Sequence, residues 1–116
     1  MRRELSWGAL PFWASVDHAD KVLVVTPCGE LDLATAPALE QTVADALADT
    51  ESTGPIDAVV FDLGGLQFID VAGARAIQRC EALSRAQGLE FAAANAGRQA
   101  RFVLELCGLS RYVQPD

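Results

Sequence analysis

One stretch near the middle of the chain limits the choice of fold more than any other. It reads Asp57-Ala58-Val59-Val60-Phe61-Asp62-Leu63, then Gly64-Gly65, then Leu66-Gln67-Phe68-Ile69-Asp70, then Val71-Ala72-Gly73. An apolar, β-branched run of this kind reads as a buried strand, from Asp57 to Leu63. The glycine pair marks a turn. Beyond it Ala76, Ile77, Cys80 and Leu83 recur at helical spacing as an inner stripe, so Asp70 is the expected N-cap of a helix that Gly88 stops. The strand thus leads to the first turn of a helix, where free backbone N–H groups and the positive end of the dipole meet whatever docks. The position most exposed to that chemistry is Ala72, which has no reactive atom.

The flanking sequence supplies the other elements. Leu10, Phe12, Ala14 and Val16 alternate with Pro11, Trp13, Ser15 and Asp17, the period of a half-buried strand. Asp17-His18-Ala19-Asp20-Lys21 reads as a polar turn, and Val22 to Thr26 as a second strand in an antiparallel hairpin. Pro27 and Gly29 are expected to break that strand near its end. A helix follows with Leu39, Val43, Ala46 and Leu47 on one face, Thr35 as its expected cap and Pro37 in its first turn. It ends before the loop Glu51-Ser52-Thr53-Gly54-Pro55. Leu89 to Ala94 is another strand, and Arg98 to Cys107 a helix with Phe102, Val103 and Leu106 as apolar contacts and Gly108 at its cap. Tyr112-Val113 is a candidate last edge. The order β-β-α-β-α-β-α predicts an α/β fold, a mixed sheet with its helices mainly on one face.

Composition narrows the function classes. A chain of 116 residues is expected to form one domain over residues 1–116. The net charge of −7 argues against nucleic acid and anionic membranes and suits a basic protein partner. No apolar run is long enough for a membrane span, and the start of the chain lacks the apolar stretch of a signal peptide, so a cytoplasmic location is expected. Residues 1–9 read as a flexible or sheet-edge extension; Trp7, Phe12 and Trp13 would finish the sheet or form a sticky patch for a homodimer. Cys28, Cys80 and Cys107 form no CxxC pair, so no metal or other cofactor is expected. Cys80 and Cys107 would lie on one side of the sheet, which makes them a candidate redox pair. Asp32 and Asp70 are far along the chain from the sole histidine, His18, and neither a Ser-His or Cys-His pairing nor a phosphate-binding loop is present. Catalysis is therefore not expected.

Three motifs in order resemble the STAS domain, over about residues 21–113: Gly29-Glu30-Leu31-Asp32-Leu33-Ala34-Thr35-Ala36-Pro37, Val60 to Asp70, and Phe102-Val103-Leu104-Glu105-Leu106-Cys107-Gly108-Leu109. The resemblance implies a SpoIIAA-like fold and the role of an anti-sigma factor antagonist. Such a protein binds an anti-sigma factor, often a GHKL-type kinase, and so releases a sigma factor. The kinase phosphorylates a serine or threonine two residues beyond the aspartate that corresponds to Asp70, which ends binding until a phosphatase reverses it. The family's usual Asp-Ser-Ser-Gly or Asp-Ser-Thr-Gly is here Asp70-Val71-Ala72-Gly73, so Ala72 stands where the phosphate would be carried. The implied partner-binding residues are Asp32, Asp70, Val71, Ala72, Gly73, Arg75 and Arg79, with Arg75 replacing a residue that is usually small. The resemblance also admits an accessory subunit of a lipid-trafficking ABC transporter, bound to its ATPase.

Overall fold

The computed structural model describes residues 12–115; Trp7, Leu10 and the extension over residues 1–9 lie outside them. Asp20 and Lys21 both adopt positive φ, 53° and 66°, which is the backbone of a two-residue hairpin turn whose twist matches its strands. The ladder therefore closes tightly. Strands β1 (Trp13–Ala19) and β2 (Val22–Leu31) pair antiparallel up to Ala19 opposite Val22. Asp17, His18 and Ala19 are strand residues, not the turn that their polarity suggests.

Strand β2 also continues through Pro27 and Gly29, against expectation. The reason lies in its second edge. There β2 pairs parallel with β3 (Ala58–Asp62) through Val22–Val25, and with β4 (Leu66–Ile69) through Gly29–Leu31. Pro27 falls between the two ladders, where a missing N–H is tolerated. The register shifts between Gly29 and Glu30, and Gly29 takes φ 97° there. Strands β3 and β4 are two pieces along one edge, joined through Leu63-Gly64-Gly65, and Gly29 N–H donates to the Gly65 carbonyl at 3.1 Å. The sequence reading missed β4 as a strand because its four residues follow a glycine turn and carry no clear alternation. Strand β5 (Glu90–Ala94) pairs parallel with β3, giving the order β1-β2-β3-β5 with β4 beside β2. Val113 adds one isolated parallel bridge to Ala93, all that forms of the expected last edge.

Helices α1 (Ala36–Ala48), α3 (Val71–Ala86) and α4 (Arg98–Leu106) cover one side of the sheet; α2 (Thr50–Thr53) is a single turn. Leu23, Val25, Leu31, Val59 and Phe61 meet Leu39, Val43 and Leu47 of α1, Ala74, Ile77 and Cys80 of α3, and Leu104 of α4 in one core. Each large side chain buried there contributes about 1.5–3 kcal/mol relative to exposure. Two expected inner residues of α4 are instead exposed, Phe102 at 60% and Leu106 at 64%, and Leu83 of α3 is 40% exposed. Ala100, Val103 and Leu104 face inward in α4. The Gln99 side chain explains that rotation: its amide donates to the Ile69 carbonyl at 2.6 Å and accepts from the Ile69 N–H at 3.2 Å.

Candidate functional site

Parallel pairing of Leu31 with Ile69 brings two chain turns side by side, one leading into α1 and one into α3. Asp32 and Asp70 are the next residues. The Asp70 N–H donates to the Leu31 carbonyl at 3.2 Å, and the backbone there is extended. Asp70 Oδ1 accepts from the Gly73 N–H at 2.8 Å, so Asp70 is the N-cap that the sequence predicts. Gly73 is buried against β2. A Cβ on it would collide with the Leu31 carbonyl oxygen and lie 2.9 Å from the carbonyl carbon. Only glycine lets the first turn of α3 approach the sheet backbone this closely.

Asp32 organises the other turn. Its Oδ1 accepts from the backbone N–H groups of Ala34 at 3.0 Å and Thr35 at 3.1 Å. Thr35 Oγ1 accepts from the Asp32 N–H and donates to the Glu30 carbonyl, each at 2.9 Å. Thr35 occupies the N-cap position of α1 but its side chain makes no capping bond. Its backbone is already near-helical, so its hydroxyl points back to the strand end, and Asp32 satisfies the turn in its place.

Between the two helix starts lies a shallow groove of about 180 Å³ lined by Leu33, Ala36, Pro37, Glu40, Ala72, Arg75 and Arg79. Leu33 is 77% exposed. Arg79 spans the groove and holds Glu40 with a two-pronged bond, Nε to Oε1 at 2.9 Å and Nη2 to Oε2 at 2.7 Å. That bond holds the Glu40 carboxyl below the ordinary glutamate value and the Arg79 guanidinium above its own. Arg75 is exposed and has no hydrogen bond or ion pair among the described residues. Val71 is exposed on the far side of Arg75, in a second depression with Gln78, Leu106 and Cys107.

Of the seven residues singled out in the sequence, the groove gathers Ala72, Arg75 and Arg79. Val71 flanks it; Asp32 and Asp70 do not line it but stand half-buried at the roots of the two helices with hydrogen bonds to their own turns, and Gly73 is enclosed. Sequence reasoning missed Leu33, Pro37 and Glu40 as wall residues. An apolar Leu33 in an otherwise small and polar loop was the one available signal; Glu40 becomes visible only through its bond to Arg79, 39 positions away.

The remaining candidates fall elsewhere. His18 lies exposed on β1. The three cysteines are free; burial pushes the Cys80 thiol up to about 12, which keeps it protonated, and Cys107 is half-buried at the end of α4. Among the described residues no group of His, Cys, Asp or Glu is placed to hold a metal ion, and no helix is long and apolar enough to cross a membrane.

The fold has counterparts among solved structures. An anti-sigma factor antagonist from Mycobacterium paratuberculosis is 28% identical, with a TM-score of 0.73 over 91% of this chain and 87% of that one. The anti-sigma factor antagonist SpoIIAA in its unphosphorylated form is 16% identical, with a TM-score of 0.74 over 88% and 86%. The murine Slc26a9 anion transporter is 19% identical with a TM-score of 0.68; 93% of this chain is covered but only 21% of the transporter. Among curated proteins no sequence matches. The model of the STAS domain matches residues 14–115, wider than the motifs alone suggest because it takes in β1. With that match reaching from β1 to the end of the described chain, the chain belongs to the STAS domain family.

Proposed function

We propose that this protein is a regulatory binding module of the anti-sigma factor antagonist kind, one that engages an anti-sigma factor of the GHKL kinase type and frees a sigma factor without a phosphate switch at the usual place. The observation that carries this reading is Ala72 at the lip of the groove, on a helix start locked to the sheet by Gly73 and Asp70. A partner meets a fixed, small side chain there, flanked by Leu33, Val71 and the free guanidinium of Arg75. A phosphate at this point would bring about −1.5 to −2 charges and three acceptor oxygens into the contact. The carboxylates of Asp32 and Asp70, at the roots of the two helices, would oppose it, whereas the Glu40 charge is already taken up by Arg79. Alanine keeps the contact surface and removes the acceptor. The protein acts without enzymatic chemistry of its own, and its regulation lies in its synthesis, in its partner or in a device other than phosphorylation.

The test pairs two variants with partner capture from native extract of the source cells. Wild-type protein is expected to retain a GHKL-fold protein and to take up no phosphate in the Asp70–Gly73 turn when incubated with it and ATP. Ala72→Ser is expected to bind and to become a phosphate acceptor. Ala72→Glu is expected to lose binding at least about tenfold, since a bulky charge replaces a methyl group at the contact. Undiminished binding by Ala72→Glu overturns the placement of the contact. Capture of an ATPase with Walker motifs in place of a GHKL protein overturns the partner class and favours the transporter-subunit reading.

A further inference from the structure

The side of the sheet away from the helices has a character of its own. Strand residues alternate, and the set Leu23, Val25, Leu31, Val59, Phe61 and Ala93 belongs to the core. The alternate residues Val22, Val24, Val60, Ala92 and Ala94 stay partly exposed and take no part in that core. The register sets them in adjoining rows: Val22 beside Ala58, Val24 beside Val60, Val60 beside Ala92. Two large aromatic side chains stand at one end of this face. Trp13, 56% exposed, pairs with Cys28, and Phe68, 41% exposed, pairs with Glu30.

The charged residues that the described strands set on this face are of one sign. Asp17, Glu30, Asp62 and Glu90 project to the same side as the apolar rows, and no described strand contains a lysine or arginine; the one described lysine, Lys21, sits in the turn at the end of the β1–β2 ladder. Hydrogen bonds from Asn95 and the Gly64 N–H hold the Asp62 carboxyl below its usual range. The described arginines are all elsewhere: Arg75, Arg79 and Arg85 on α3, Arg98 and Arg101 on α4, Arg111 in the 3-10 turn Ser110–Tyr112. A second copy of the chain docked face to face would therefore meet its own negative charge.

We infer that this sheet face, which no described element covers, is a second docking surface, for a basic amphipathic helix of another protein. A helix laid on a sheet is the layer arrangement that the opposite side already uses. An apolar stripe on such a helix would cover the valine and alanine rows, and flanking lysines or arginines would meet the acidic rim. The surface is independent of the Ala72 groove, which lies among the helices on the opposite side of the sheet.

The direct test titrates the full, isotope-labelled chain with a synthetic Leu/Lys peptide of amphipathic helical pattern, followed by amide shifts and calorimetry. Shifts are expected at Val22, Val24, Val60 and Ala92. A peptide of the same composition with scrambled order is expected to bind at least about tenfold more weakly. The double variant Asp17→Lys/Glu90→Lys is expected to lose affinity about tenfold or more, while Glu51→Lys/Glu105→Lys, with the same change in net charge away from the face, keeps most of it. Equal loss in both double variants, equal binding of the scrambled peptide, or shifts confined to α1 and α3 would each overturn the inference. So would a self-associated chain in sedimentation whose dimer depends on Asp17 and Glu90.

Discussion

The starts of α1 and α3 stand side by side at the ends of paired strands, each with an aspartate at its root, yet they are built in opposite ways. At α1 the order is local. Asp32 and Thr35 bond to the loop between them and to the strand end just before it. At α3 the order is imposed by the sheet. Asp70 caps the helix, but the turn stays in place because Gly73 lies directly on the Leu31 backbone. The lesson is that a capping aspartate can be read from sequence, whereas the tolerance of the site around it depends on what the fold presses against it. The α3 start is the less forgiving of the two, and it is the one that carries Ala72.

That contrast can be broken most severely at Gly73. Gly73→Ala forces a Cβ into the Leu31 carbonyl, a backbone group that cannot step aside, and is expected to destabilise by about 3 kcal/mol in urea unfolding. A cost near zero would show that the α3 start is not pinned. Asp70→Ala removes the cap and is expected to cost about 1.5 kcal/mol. Asp32→Ala is expected to cost about 1 kcal/mol, with a local signature: faster hydrogen exchange of Ala34 and Thr35 amides and no change at Gly73. Loosening of Gly73 in that variant would erase the distinction between the two starts. Gly65→Ala sharpens the point from another direction. Its Cβ would meet a side chain, Cys28 Sγ, at 2.7 Å, so its cost of about 1 kcal/mol should fall away in a Cys28→Ala background, whereas Gly73→Ala has no such rescue.

The smallest expected effect concerns pH. Glu81 is buried on α3, and its carboxyl is held below the ordinary value of 4.5 chiefly by the Arg85 bond, against the opposing effect of burial, with help from the Tyr112 hydroxyl at 2.7 Å. A carboxyl whose folded value is depressed stabilises fully above its unfolded value and loses that contribution as pH falls through the folded one. The acid limb of stability below about pH 4.5 should therefore flatten in Glu81→Gln, while the difference between Gly73→Ala and wild type should not depend on pH. An unchanged acid limb would remove Glu81 from the set of groups that tie α3 to the C-terminal turn.

The sequence alone determined the elements that repeat locally. Alternation marked β1 and the apolar run marked β3; helical spacing marked α1 and α3; Asp70 and Gly88 marked the bounds of α3. It also determined that the helix start at the centre of the site has no hydroxyl to modify, because Ala72 is a matter of composition. Tertiary structure decided the rest. Pro27 survives inside β2 because two separate partners leave a gap beside it, and α4 turns Phe102 and Leu106 outward because Gln99 grips Ile69. Leu33 and Glu40 join Ala72 in one groove, and Gly73 is enclosed, through contacts between residues distant in the chain. Periodicity and capping are properties of neighbours along the chain, so sequence displays them; register, helix rotation and close approach arise only when remote segments meet.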